Sequence, residues 1–361
     1  MLQVIDLSDM YVEKINKSFG DNHVLKDISL RVGGGEFVSV LGPSGCGKTT
    51  LLKIIAGLEI QDSGSIHIGG ACCDDIPARK RGAVIVFQDF GLFPHMTVRQ
   101  NIEFGLSARK ISRVERERKI AKMVDVMQIG DKAAFYPREL SGGQKQRVAL
   151  ARACVLEPSV LLLDEPFSNL DTSLRDDMRG FVSSLQRELG ITTILVTHDK
   201  EEAFMLSRKV AVILEGRLQQ YGEPAQIYSR PLTVEVADFI GETNYIAGTV
   251  CCGRFSCLFG EFDAEGITAG EAMLMLRYDQ IIISHNKGLP CRIIDRMYKG
   301  HTTSYKVAID CGAETELRLN SSDSSFEPGQ NAFVRLTDGA GCILCPGQET
   351  KHVEYEKKGQ Q

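Results

Sequence analysis

The chain has 361 residues, 43% of them hydrophobic and 25% charged, with a formal net charge of −5. That length exceeds what one hydrophobic core usually organises, so two domains are expected, and the acidic balance argues against a nucleic-acid binder that neutralises phosphates over a broad surface. No apolar run approaches the roughly 20 residues that span a bilayer, and the N-terminal MLQVIDLSDMYVEK carries acidic residues where a signal peptide would be basic, so a cytosolic protein is expected.

In chain order, short continuous apolar runs alternate with helical patterns over the first two-thirds. The runs are Phe37–Leu41, Ala83–Phe87, Val160–Leu163, Thr193–Val196 and Val210–Leu214. Continuous rather than alternating apolar strands are buried on both faces, which predicts an α/β fold with a largely parallel sheet covered by helices. Directly after the first run comes Gly42-Pro43-Ser44-Gly45-Cys46-Gly47-Lys48-Thr49-Thr50, followed by LLKIIAGLE. This is G-x-x-x-x-G-K-[ST] in its strand–loop–helix context. Glycines let backbone N–H groups curl round a phosphate chain, and the helix N-terminus adds partial positive charge. Lys48 would reach the β- and γ-phosphates and the Thr49 hydroxyl would ligate Mg²⁺. The loop alone says nucleoside triphosphatase.

From about 95 to 150 the pattern becomes helical and highly charged, as in SRVERERKIAKMVDVMQIG, which predicts a helical insert. The insert ends in Leu140-Ser141-Gly142-Gly143-Gln144, which opens the helical run VALARACVL. Next, Val160–Leu163 leads into Asp164-Glu165-Pro166. The two carboxylates stand at the carboxyl end of a buried strand, where ligands bind in open α/β sheets. Asp164 would hold the Mg²⁺ hydration shell, and Glu165 would polarise an attacking water as general base.

After about Gly241 the texture changes to short strand-like segments punctuated by Gly253, Gly260, Gly266, Gly270, Gly288 and Gly300, which predicts a small all-β barrel. Domains are therefore expected at 1–241 and 242–361, with a frayed tail after Tyr355. The 11 cysteines are expected as reduced thiols in a cytosolic chain. Cys342 and Cys345 form a C-x-x-C with no partner pair at zinc-site spacing.

With L-S-G-G-Q standing between the phosphate loop and the Asp164-Glu165 strand, the chain resembles the ATP-binding-cassette family. The resemblance is dense over residues 10–241. It implies ATP as substrate with Mg²⁺, and a head-to-tail homodimer in which Ser141, Gly142, Gly143, Gln144 and Asp171 serve the partner's nucleotide. It further implies Gln88 as the glutamine that contacts Mg²⁺ and water, His198 as the switch histidine facing the γ-phosphate, and Phe19 as the ring stacked on adenine. Phe90–Val98, Gly222–Tyr228 and Asp238–Gly241 are similar to the maltose, sulfate, polyamine and ferric-iron importer ATPases, which carry an additional C-terminal β-barrel of oligonucleotide/oligosaccharide-binding type. That type implies ATP hydrolysis driving a binding-protein-dependent importer for a small solute of the ferric-iron, polyamine, sulfate, phosphonate or sugar class, by ATP-driven closure of the dimer. The implied partners are two integral membrane permease subunits and, indirectly, an extracytoplasmic solute-binding protein. It also places the chain peripherally on the cytoplasmic face of the membrane. Leu276-Arg277-Tyr278-Asp279 departs from that group's L-R-P-E. Two other classes, a soluble cassette ATPase of translation or repair and an exporter ATPase, would carry tandem cassettes, coiled-coil inserts or fused membrane helices, or would lack the β-domain.

Overall fold

The computed structural model describes residues 9–310, 314–344 and 351–352. Contacts divide the chain into two units, Met1–Pro224 and Ala225–Gln361.

The first unit opens with two long strands, β1 (Met10–Phe19) and β2 (Asn22–Val32). Then come β3 (Phe37–Leu41), α1 (Lys48–Ala56), β4 (Ser63–Ile68), β5 (Ala71–Cys72) and β6 (Ala83–Val86). The helical stretch is α2 (Val98–Ala108), α3 (Arg113–Val126) and α4 (Gly142–Cys154). The chain continues through β7 (Val160–Asp164), α5 (Thr172–Leu189), β8 (Thr192–Thr197), α6 (Lys200–Leu206), β9 (Lys209–Leu214) and β10 (Arg217–Gly222).

The central sheet has the order β10-β9-β3-β8-β7-β6. All its pairings are parallel except the β9–β10 hairpin. The apolar runs explain its position. Leu161, Leu163 and Leu195 face a core shared with α2–α5, while Val160, Leu162, Ile194 and Val196 face the opposite core with α1. Strands apolar on both faces leave no solvent side and must be sandwiched. A second sheet, β2-β1-β4-β5, is antiparallel and carries no clear signal in the sequence. Its strands alternate inward Met10, Val12 and Ile15 with exposed Glu13 and Lys14, and register breaks interrupt the β1 ladder, so no continuous apolar run marks them.

The second unit takes in α8 (Val234–Ile240), preceded by α7 (Pro224–Ser229). Its strands are β11 (Thr243–Cys251), β12 (Arg254–Cys257), β13 (Gly260–Asp263), β14 (Gly270–Arg277), β15 (Ile281–Ser284), β16 (Leu289–Tyr298), β17 (Thr303–Asp310), β18 (Glu314–Ser321), β19 (Asn331–Leu336), β20 (Cys342–Leu344) and β21 (Lys351–His352). They form two antiparallel sheets, β13-β12-β11-β14-β20-β21 and β15-β19-β16-β17-β18. Both sheets contribute to one core, for example Ile246 and Leu274 with Val307, Leu317 and Val334, giving a half-barrel. The sequence placed residues 225–241 in the first domain, but here they group with the half-barrel. Ala237 packs with Met275, Cys342 and Leu344. Arg277, fully buried, donates to the carbonyls of Ala237 at 2.7 Å and Tyr228 at 2.9 Å, and at Ala237 this is a second bond beside the one from the Gly241 N–H at 3.1 Å. Arg277 therefore has an internal task at the second position of the L-R-P-E pattern.

Among the described residues no helix is long and apolar enough to cross a membrane. Nine described cysteines are free thiols, including Cys342. Cys311, Cys345 and the tail after Tyr355 lie outside the described residues.

Candidate nucleotide-hydrolysing site

β3 delivers the chain into the Gly42–Gly47 loop, which leads directly into α1. Gly47 is the N-cap of α1, at φ 100, and has no side chain to cap the first-turn N–H groups. Those donors and the helix dipole suit an anion. Two of the glycines are enforced by what lies beneath the loop. A Cβ on Gly42 would stand 2.3 Å from the Ile213 carbonyl oxygen, and one on Gly47 would stand 2.6 Å from the Leu25 side chain and 3.0 Å from the Val24 oxygen. Pro43, Ser44 and Gly45 are exposed at the loop crest, while Thr49 and Thr50 are half-buried on α1. Lys48 is 5% exposed, and its ammonium donates to the carbonyls of Gly42 and Pro43, both at 2.8 Å. Buried Cys46 has its sulfur 4.0 Å from that ammonium, and burial pushes its thiol above the ordinary range.

The Thr49 hydroxyl donates to Asp164 Oδ1 at 2.9 Å, bridging the phosphate loop to the end of β7. Burial raises the Asp164 carboxyl above the ordinary carboxylate range, the Thr49 hydrogen bond opposes this, and the Glu165 charge adds to it. Glu165 follows with φ 45, a left-handed backbone for a residue that is not glycine. Such geometry costs energy and is concentrated at functional sites. It is held by the Glu165 N–H bond to the Val196 carbonyl at 2.9 Å. His198, just past β8, places Nδ1 3.1 Å from Glu165 Oε1. Glu165 and His198 thus meet across adjacent strand ends, and Asp164 and Gln88 line one groove. A hydroxyl, a carboxylate and an amide oxygen form a hard-oxygen donor set that fits Mg²⁺, with the remaining positions left to water and phosphate.

Ser141 is the N-cap of α4. Its hydroxyl accepts from the Gln144 N–H and its N–H donates to Gln144 Oε1, a capping box. Gly142 and Gly143 sit where added Cβ atoms would be 3.0 Å from Leu170 and 2.9 Å from Leu174. Asp171 caps α5 by accepting from the Leu174 N–H at 3.0 Å. The contacts of these five residues run between α4, the 165–171 loop and α5. Phe19, at the end of β1, is 49% exposed, with the Lys17 ammonium 5.0 Å from its ring centre. It is an open ring face, not a core residue.

Sequence reasoning missed two features. Asn169 donates to the Gln88 carbonyl at 2.9 Å, tying the loop after Glu165 to the loop after β6. Arg179 on α5 binds Asp199 and Glu202, which flank the His198 loop. An arginine at helical spacing in an apolar stripe was the available signal for the second. The groove beside Gln88 has a volume of about 860 Å³ and is lined by Phe87, Gly91, Phe93, Phe104, Arg152 and Leu156 among others. Arg152 holds its wall by donating to the Gly91 carbonyl at 2.7 Å and the Phe90 carbonyl at 3.1 Å.

Residues 25–168 match the family described as ABC transporter, and residues 274–344 match the TOBE domain. Over 335 residues the chain is 39% identical to a Fe(3+) ions import ATP-binding protein of Fusobacterium nucleatum, covering 90% of each chain. It is 41% identical over 317 residues to a spermidine/putrescine import ATP-binding protein of Haemophilus influenzae, covering 83% of this chain and 85% of that one. Among solved structures, an ATP-binding cassette captured as a dimer in a post-hydrolysis state with ADP and Pi is 30% identical with a TM-score of 0.54, covering 60% of this chain and 98% of its own. Clostridium perfringens cbiO1, part of the cbiONQ transporter complex, is 33% identical with a TM-score of 0.57, covering 61% and 90%.

Proposed function

This chain belongs to the ABC transporter family of import ATP-binding subunits, and we propose that it energises uptake of ferric iron or a polyamine. It is an ATPase whose hydrolysis is coupled to transport. The two cargo classes are those for which its relatives are named. The observation that carries the mechanistic reading is the 3.1 Å approach of His198 Nδ1 to Glu165 Oε1 beside the Thr49–Asp164 bond.

In this reading ATP lies along the Gly42–Thr50 loop, with its adenine on the exposed Phe19 ring. The unclaimed N–H groups at the start of α1 and the Lys48 ammonium, drawn from its two loop carbonyls, take the phosphate charge. Mg²⁺, held by Thr49, Asp164 and Gln88, neutralises phosphate charge when bound. Glu165 accepts a proton from the attacking water, and His198 fixes the Glu165 carboxylate and faces the γ-phosphate. Ser141, Gly142, Gly143, Gln144 and Asp171 of a second copy close over the same nucleotide, head to tail. The α4 N-terminus supports that role, because its capping box takes the Gln144 N–H and leaves the Gly142 and Gly143 N–H groups for an anion.

The groove beside Gln88 supports docking by a short segment of each of two integral membrane permease subunits. Those subunits would hold the chain at the cytoplasmic face of the membrane, with a solute-binding protein acting through them. Gln88 and Asp164 share that groove, so movement there reaches the metal-binding donors. The test is reconstitution in liposomes with the permease pair and binding protein encoded beside this chain. ATP-dependent accumulation of Fe³⁺ or spermidine, lost in Glu165→Gln, is expected. Turnover with accumulation of neither cargo would remove the cargo assignment, and Glu165→Gln turnover within a few-fold of wild type would remove the general base.

A further inference from the structure

β11 and β12 join through a two-residue turn, Cys252-Gly253, with Cys251 paired to Arg254 across the ladder. Both turn residues have left-handed backbones, φ 51 at Cys252 and φ 74 at Gly253, as a tight hairpin of this hand requires. Asn or Asp usually takes the first of these places, because their side chains tolerate that conformation. Here a cysteine takes it, immediately after another cysteine. Both are free and exposed, and their sulfurs lie 3.6 Å apart.

We propose that Cys251 and Cys252 form a chelating site for a trivalent thiophilic metalloid of the arsenical class. Two sulfurs this close can join directly or through one bridging atom. Direct joining is unfavourable: Cα atoms across a trans peptide are about 3.8 Å apart, below the roughly 4.4–6.8 Å of ordinary disulfides, so the bond would be strained and easily reduced. A single bridging atom relieves that strain. A linear two-coordinate soft ion such as Cu(I) puts its sulfurs on opposite sides and needs a wider pair, whereas pyramidal trivalent arsenic binds sulfurs on one side. Soft thiolate ligands select such acceptors. The hydrogen bond with Cys252 holds the Cys251 thiol above its usual range.

The step balances without an oxidant. An organic arsenoxide and two thiols give a cyclic dithioarsenite and one water: two S–H bonds and the As=O bond break, two As–S and two O–H bonds form, and arsenic stays trivalent. The other adjacent pair does not share this geometry. Cys73 is buried with its sulfur directed to the Ala71 carbonyl, while the exposed Cys72 sulfur is directed to Asp74.

The test is intact-mass analysis of the full chain after phenylarsine oxide, followed by washing with excess glutathione. One adduct that survives glutathione, is removed by 2,3-dimercaptopropanol and maps to the 251–252 peptide is expected. Cys251→Ser and Cys252→Asn should each abolish it. Asn suits the turn, so the second variant keeps the hairpin, and unchanged ATP turnover reports an intact fold. Cys72→Ser should retain the adduct. An adduct removed by glutathione, one that persists in either hairpin variant, or air oxidation of the pair to a stable disulfide would overturn the proposal.

Discussion

The Arg179 guanidinium donates to the Asp199 carboxylate at 3.0 Å, one residue beyond His198. Asp199 in turn caps α6 through the Glu201 and Glu202 N–H groups. Arg179 also reaches Glu202 Oε1 at 3.5 Å, and the other Glu202 oxygen accepts from the Thr197 hydroxyl at 2.6 Å. The residues on both sides of His198 are thus tied to one buried cation, which is 4% exposed.

The first prediction follows from that clamp. Arg179→Met should lower kcat about 10-fold or more while leaving ATP affinity within a few-fold, because His198 loses its fixed approach to Glu165. Removing one partner also strands the buried Glu202 carboxyl, a loss of about 3–5 kcal/mol in comparable buried pairs. Arg179→Met/Glu202→Gln separates the two effects: melting temperature should recover while kcat stays low. Full recovery of kcat with stability would reduce Arg179 to a structural residue.

A second prediction concerns Asp164. Burial holds its carboxyl above the ordinary value. A raised acid contributes stability that is fully present below the unfolded-state value and is lost as pH rises through the folded one. At neutral pH the buried Asp164 carboxyl therefore destabilises the nucleotide-free chain. Asp164→Asn should raise the neutral-pH melting temperature of nucleotide-free protein, by about 2–4 °C per kcal/mol relieved in a unit of this size. The gain should vanish in acid, and Mg²⁺-dependent hydrolysis should be abolished. An unchanged or lower melting temperature at pH 7 would show that Asp164 is not under strain.

Two glycines of the phosphate loop should behave differently. A Cβ at Gly42 meets the Ile213 backbone oxygen at 2.3 Å, which can relieve the clash only if β9 moves, while a Cβ at Gly45 meets nothing within 4 Å. Gly42→Ala should unfold the loop and cost both ATP binding and stability. Gly45→Ala should carry only the cost of a left-handed residue at φ 82, about 1 kcal/mol. Calorimetric ATP binding and thermal melts of the pair would show equal losses if the loop's glycines served flexibility alone.

How much of this was legible in the sequence depends on what kind of contact makes each feature. The central strands were legible because Leu161–Leu163 and Ile194–Val196 are apolar on both faces, and the phosphate loop because its chemistry is local in sequence. The β2-β1-β4-β5 sheet was not, since half-buried strands with bulges at Lys14 and Asp27 carry a broken alternation. In the site, Glu165 and His198 could be named, but not their 3.1 Å contact, which depends on β7 and β8 being neighbours. In the sequence Gly142 and Gly143 point only to the partner's nucleotide. Their close approach to Leu170 and Leu174 is a tertiary fact, and it gives the S-G-G segment a packing role as well. Arg179 stands in the apolar stripe of α5, but its partners could not be named for the same reason: they lie 20 and 23 residues away, at the N-cap and in the first turn of α6.

The last prediction tests whether the site is shared between copies. Suppose each ATP lies between Lys48 of one chain and Ser141 of the other. Heterodimers are then built with one Lys48→Ala and one Ser141→Arg substitution. With both changes on one chain, its phosphate loop and its α4 N-terminus fall in different seams, so both sites are damaged. With one change on each chain, both fall in the same seam and the other site is wholly wild type. A self-contained site predicts the reverse, because a doubly substituted chain would leave its wild-type partner untouched. The Arg side chain at 141 is placed at an exposed N-cap, so it should block a facing copy without disturbing the core of its own chain. ATP retained by the isolated dimer is the readout, since one intact site need not sustain steady turnover. Greater retention in the opposite-chain heterodimer is expected; greater retention in the same-chain heterodimer means that Ser141 does not serve the partner's nucleotide, and the closure mechanism built on it fails.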